Sequence, residues 1–152
     1  MKRDPIELLF ENANNFPDHF AIVEKERKIT YMQFCNLVKR IAFELKKVKK
    51  QPKILIHLSR TIETYATMFA SLQVGGFYCP TSLSAPQNRQ KKIIQLFNPD
   101  VIVTNSKTID YSLDTNPKII NIKSISNNQL KDICPSHDLQ PPPSFFNRFI
   151  WG

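Results

Sequence analysis

Glycine is scarce in this chain: its 152 residues hold only Gly75, Gly76 and Gly152. A Walker loop or a Rossmann fingerprint needs several glycines within one short loop, so that backbone amides can approach phosphate oxygens. No stretch here provides them. Cysteine is equally rare, and Cys35, Cys79 and Cys134 are odd in number and far apart. That pattern fits isolated thiols in a reducing compartment and not a disulfide framework, so the expected address is the cytoplasm. Long apolar runs are also missing. Ile54 to Leu58 is broken by His57 and Val101 to Val103 is of strand length, so no segment has the length of a membrane span. Met1-Lys2-Arg3-Asp4-Pro5 leads into an amphipathic pattern and lacks the apolar core and small-residue cleavage site of a signal peptide, so export is not expected.

What is present is an ordinary globular composition, with 41% hydrophobic and 22% charged residues. It suffices for one domain with a real core and is far from the profile of disorder. The net charge is +8. Its densest source is Lys46, Lys47, Lys49, Lys50 and Lys53, with Lys91 and Lys92 as a second group, and neither group is interleaved with aromatics. Lysines at a helix end complement its dipole and keep a surface wet, so a solvated face takes precedence over nucleic-acid binding.

Hydrophobic periodicity lays out the elements. Ile6, Leu9, Phe10 and Ala13 recur at helical spacing, with Asp4 placed to cap and Pro5 preset for the first turn. Residues 20–23 and 28–30 read as two short strands around the charged turn Glu24 to Arg27. Thr30-Tyr31-Met32-Gln33 has the form of a capping box, opening a helix whose apolar stripe runs through Phe34, Leu37, Val38, Ile41, Ala42, Leu45 and Val48 to the lysine cluster. Residues 53–58 form a compact apolar run, as expected of a strand buried on both faces. Ser59 and Thr61 are available to cap a third helix carrying Ile62, Tyr65, Phe69 and Leu72, which Gly75-Gly76 stops. A strand at 77–79, a helix opened by Ser84 and Pro86, and strands at 101–104 and 118–122 complete a βαβαβ alternation. The fold class is therefore α/β: an N-terminal helix and hairpin followed by a parallel layer. The organisation expected is an ordered region over 1–123 and an irregular Pro- and Asn-rich tail over 124–152, ending on Phe145, Phe146, Phe149, Ile150 and Trp151.

Two phrases stand out, Ile29-Thr30-Tyr31-Met32-Gln33-Phe34 and Leu72-Gln73-Val74-Gly75-Gly76-Phe77-Tyr78-Cys79-Pro80. In order and spacing they resemble the Leu-Thr-Tyr-x-Glu-Leu and Leu-Lys-Ala-Gly-x-Ala-Tyr-x-Pro signatures of the adenylation domains of nonribosomal peptide synthetases and their acyl-CoA synthetase relatives. Phe16-Pro17-Asp18-His19-Phe20-Ala21-Ile22 is similar to the family's early Pro-Asp-x-x-Ala phrase, and Pro86-Gln87-Asn88-Arg89 to its Pro-x-x-Arg. The resemblance covers residues 5 to 105. It implies an AMP-forming ligase of the acyl or aminoacyl type, with ATP and Mg implied only for a complete relative and a carrier protein or CoA as thiol partner. The departures are Thr81 and Ser82 where the family has an aliphatic residue and an aspartate, and Gln33 and Phe34 where it has Glu and Leu.

The Ser/Thr/Gly-rich Pro-Lys-Gly loop of that family has no counterpart here, and the family's acyl pocket and mobile C-terminal domain lie downstream of the portion represented. The expectation is an N-terminal scaffold, inactive alone, or one half of a split enzyme completed by another chain. A stand-alone protein-interaction module using the apolar tail and a basic nucleic-acid-associated protein are the alternatives. No catalytic, cofactor-binding or metal residue is assigned. Cys134 and His137 have C-x-x-H spacing but lack further ligands. His57 reads as a hydrogen-bonded strand histidine, Asp110 and Asp114 as turn residues, and Tyr65 and Phe69 as core.

Overall fold

The computed structural model describes residues 4–106 and 116–126. Helix α1 (Pro5–Asn15) begins where the Asp4 carboxylate accepts the Ile6 N–H at 2.8 Å, and Pro5 occupies the first turn, where no backbone donor is missed. Strands β1 (Phe20–Glu24) and β2 (Arg27–Thr30) pair as an antiparallel hairpin, with Lys25 left-handed in the turn. Helix α2 (Tyr31–Lys46) opens on the expected capping box: the Thr30 hydroxyl accepts the Gln33 N–H, and the Gln33 amide oxygen accepts the Thr30 N–H.

The central layer is β3 (Lys53–His57), α3 (Ile62–Gln73), β4 (Phe77–Pro80), α4 (Gln87–Phe97), β5 (Val101–Thr104), β6 (Lys118–Asn121) and α5 (Ile122–Ser126). Its four strands lie in the order β4-β3-β5-β6 and all pair in parallel. Ile54, Ile56, Val101, Val103 and Ile120 face a core shared with α2, α3 and α5. Leu55 and Ile102, on the opposite face, are covered by Ile94 of α4. With both faces in use, the inner strands are apolar at successive positions, and β5 is buried throughout.

Three expectations are corrected. The buried residues of α3 are Ile62, Thr64, Ala66, Thr67, Ala70 and Ser71, whereas Tyr65 and Leu72 are exposed. Small side chains let α3 lie close against α2, and the Thr67 and Ser71 hydroxyls are satisfied by donating to the carbonyls one turn earlier. Thr61 occupies the N-cap of α3 without a side-chain capping bond. Instead the Glu24 carboxylate of the hairpin accepts the Ile62 N–H at 3.0 Å. At α4 the N-cap is Pro86, again without a side-chain cap, and the Ser84 hydroxyl pairs with Ser82.

The end of α3 is a Schellman closure: Gly76 N–H donates to Ser71 O and Gly75 N–H to Leu72 O, with Gly75 at φ 68°. Gly76 then passes so close to β3 that a Cβ on it would sit 2.5 Å from the Pro52 carbonyl oxygen. The same oxygen accepts Phe77 N–H and starts the β3–β4 ladder.

Candidate functional site

Parallel strands present their carboxyl ends together, so the last residue of each belongs to one rim. The register places His57, Thr104 and Asn121 in a single row across β3, β5 and β6, with Thr81 directly after β4. From β3 the chain passes over one face through α3 to β4, then returns over the other face through α4 to β5. The connections therefore diverge between β3 and β5, where open α/β sheets form a crevice for ligands.

Thr81 is the most constrained residue of the rim. It is buried, its N–H donates to Ile56 O at 3.0 Å, and its hydroxyl donates to the same oxygen at 3.3 Å. His57 Nδ1 lies 3.3 Å from that hydroxyl. With its one proton engaged by Ile56 O, the hydroxyl accepts from the ring, which favours the Nδ1–H tautomer. Burial pushes the His57 pKa below its ordinary value, so the imidazole is neutral at pH 7. Thr104 is fully buried and its Oγ1 accepts Ser106 N–H at 3.1 Å. Asn121 Oδ1 accepts Lys123 N–H, and its carbonyl accepts the Ser124 hydroxyl. These groups hold the loops above the rim. They offer a polar ligand neutral hydrogen bonds, without the nucleophile, base and orienter of a catalytic constellation.

The hairpin is fixed beside this rim by charge. Glu24 sits on the α3 N-terminus, and Arg27 Nη2 meets Glu63 Oε1 at 2.5 Å. Burial alone would raise the Glu63 pKa, but hydrogen bonds from Arg27, the backbone and Thr61, with the Arg27 charge, outweigh it and hold the carboxyl below its usual range. At the opposite end of the sheet, Lys49 and Asp100 flank a hollow of about 230 Å³ and pair at 3.2 Å. Asp100 Oδ2 also accepts Lys53 N–H at 2.9 Å; that bond, followed by Lys49, lowers its pKa.

The lysine cluster is partly neutralised within the fold. Lys47 pairs with Glu44 at 2.6 Å and lies 4.3 Å above the Phe43 ring, while Lys49 is held by Asp100. Phe69 packs edge-on against Phe34 as a core residue does, but Tyr65 points outward. Asp110, Asp114, Cys134, His137 and residues 145–151 lie outside the described residues. Thr81, Thr104 and Asn121 were not singled out from sequence as site candidates. The signal that could have found them is a polar residue closing each apolar strand in a βαβ alternation.

Among the described residues, no group of three or more His, Cys, Asp and Glu side chains is placed to hold a metal. No helix among them is long and apolar enough to cross a membrane. The donor set and the absence of a glycine-rich loop do not fit ATP with Mg as a ligand of these residues alone.

Comparison with known proteins follows the same outline. The family model described as AMP-binding enzyme matches residues 9–144. The chain is 26% identical over 148 residues to HC-toxin synthetase of Cochliobolus carbonum, covering 88% of this chain and 3% of that protein. Its fold matches the Klebsiella oxytoca NpsA N-terminal subdomain in complex with anthranilyl-AMSN, with TM-score 0.68, 19% identity, and coverage of 86% of this chain and 34% of that one. It also matches NpsA-ThdA, an artificially fused Adenylation-PCP di-domain from the same organism, with TM-score 0.69, 18% identity, and coverage of 87% and 27%.

Proposed function

The chain belongs to the AMP-binding enzyme family, and we propose that it is the opening scaffold of an adenylate-forming ligase of the nonribosomal peptide synthetase kind, inactive by itself. The observation that carries this reading is a family match over most of the chain combined with coverage of 34% of the NpsA subdomain chain and 3% of HC-toxin synthetase. The scaffold runs through α5 (Ile122–Ser126), whose Ile122 and Ile125 pack into its core. In the complete enzyme a carboxylic acid attacks the α-phosphate of ATP, giving an acyl adenylate and pyrophosphate, and the acyl group then passes to a thiol.

Charge on the departing pyrophosphate has to be met by backbone amides, a lysine or a metal. The rim of His57, Thr81, Thr104 and Asn121 brings neutral groups already engaged in holding loops. A complementing segment or chain therefore brings the phosphate loop, the acyl pocket and the catalytic C-terminal domain, with ATP and Mg bound there. The acceptor is a carrier protein or CoA, as the adenylation–PCP fusion suggests, and the compartment is the cytoplasm.

The test is ATP–pyrophosphate exchange by the purified chain with panels of amino, aryl and fatty acids. Exchange at the level of the enzyme-free blank is expected for every acid. Acid-dependent exchange by this chain alone overturns the claim of inactivity.

A further inference from the structure

Helix α2 turns an aromatic side chain away from the core. Its inner face buries Phe34, Cys35, Val38, Ile41, Ala42 and Leu45, whereas Phe43 is 63% exposed. The surface neighbours of a helical residue are those three and four positions away. For Phe43 these are Lys39, Arg40, Lys46 and Lys47, so every one of them is basic. Lys46 ends α2 and Lys47 is its C-cap.

Part of this rim is already held in place. Lys47 Nζ lies 4.3 Å from the centre of the Phe43 ring and 2.6 Å from Glu44 Oε1, which tethers the ammonium beside the ring. Lys39 Nζ lies 5.5 Å from the centre of the Phe10 ring, which ties it to α1. An exposed aromatic ring within a charged, wet surround has the anatomy of an interface anchor and its rim.

Charge selects the occupant. A second copy of the chain would set basic rim against basic rim, in a molecule of net charge +8. A nucleic acid or an anionic lipid surface would bring phosphates against Glu44, which adjoins Phe43 in sequence and has a partly exposed side chain. Sinking Phe43 among acyl chains would also carry the Lys47 ammonium and the Glu44 carboxylate with it, at the cost of desolvating both. A protein segment meets all three demands at once: carboxylates for the lysines, an apolar side chain for the ring, and a donor for Glu44.

We propose that this face of α2 docks an acidic segment of a partner protein, whose apolar side chain covers Phe43 and whose carboxylates meet Lys39, Lys46 and Lys47. The proposal is independent of the ligase reading. A chain active in pyrophosphate exchange would leave it standing, and a failure here would leave the family assignment untouched.

The probe is a fluorescein-labelled helical peptide with leucines on one face and glutamates flanking them, titrated with the full chain and read by anisotropy. Saturable binding is expected, weakened at least about tenfold by Phe43→Ser and likewise by Lys46→Glu, and falling as salt is added. Phe43 and Lys46 are both exposed, so either variant should keep the far-UV circular dichroism of the parent chain. Reversing Lys91 and Lys92 to Glu together changes the net charge by more than Lys46→Glu does, but on α4, and should leave the affinity unchanged. Absence of saturable binding, affinity indifferent to Phe43→Ser, or an equal loss on reversing Lys91 and Lys92 overturns the proposal. So does tighter binding of a short duplex DNA, or of vesicles of phosphatidylcholine and phosphatidylserine in equal amounts, because the occupant is then a nucleic acid or a lipid surface.

Discussion

Replacing Gly76 by alanine should harm the fold more than the same change at Gly75, although the two residues are adjacent. At Gly75 the cost is conformational: φ is 68°, and an L-residue there loses about 1–2 kcal/mol. Reduced freedom of the unfolded chain returns roughly 0.4–1 kcal/mol of that, leaving a net loss of about 1 kcal/mol. At Gly76 the cost is steric. The new methyl would lie 2.5 Å from Pro52 O and 3.0 Å from Ile54 Cδ1. The carbonyl belongs to backbone and cannot swing aside, so β3 and the helix end must separate by a large fraction of an ångström. Overpacking of this kind costs about 1–3 kcal/mol, and loosening the bond from Phe77 N–H to Pro52 O adds about 1 kcal/mol. The expected loss is about 2–4 kcal/mol, or a fall of roughly 1–2 M in the urea midpoint. Urea titration of both variants, followed by far-UV circular dichroism, gives the comparison. A Gly76→Ala midpoint equal to or above that of Gly75→Ala would refute the close-approach argument.

Glu24→Ala should cost about 1 kcal/mol, because Ile62 N–H loses its acceptor, whereas Glu24→Gln should recover most of it in the same urea assay. Arg27→Ala should cost less, about 0.2–1 kcal/mol, since the Arg27 side chain is 56% exposed and its pairing is screened by solvent. Thr30→Val should cost about 1 kcal/mol through loss of the α2 cap, and hydrogen exchange should show the loss first in the opening turn of α2. Acid should destabilise the fold in two stages, read as the urea midpoint against pH. His57 has a lowered pKa, so the unfolded chain binds its proton first, and stability falls as pH drops below about 6.5. Glu63 and Asp100 also have lowered pKa values, so their contribution is complete above their unfolded values and is lost as pH falls through the folded ones. His57→Gln should flatten only the upper stage and Asp100→Asn only the lower; a profile unchanged by both would contradict this assignment.

Features set by neighbours in sequence were legible in it. The capping box at Thr30 and Gln33, the Asp4-Pro5 start of α1 and the Gly75-Gly76 closure of α3 all involve groups within a few residues of each other. The parallel layer was legible because its inner strands are continuously apolar between helical segments. The face of α3 was not. Tyr65 and Leu72 are the larger apolar side chains, but proximity to α2 selects small ones, and Ala66, Thr67, Ala70 and Ser71 carry no strong hydrophobic signal. The cap of α3 was also out of reach, since its acceptor is Glu24, 38 residues away. The rim fails for the same reason: His57 meets Thr81 and stands in a row with Thr104 and Asn121 only through strand register.

The bonds that join β3 to Asp100 impose a schedule on synthesis. Asp100 follows Lys53 by 47 residues, and at about 5–20 residues per second the ribosome needs roughly 2 to 9 seconds to deliver it. In that interval Ile54 and Ile56 can shelter against α2, which is already made, but Leu55 has no cover until α4 emerges. The central strand of the sheet is therefore presented half-dressed to the cell on every round of translation. That is the window in which a trigger-type chaperone or a slow codon run before Asp100 would have the greatest effect on yield.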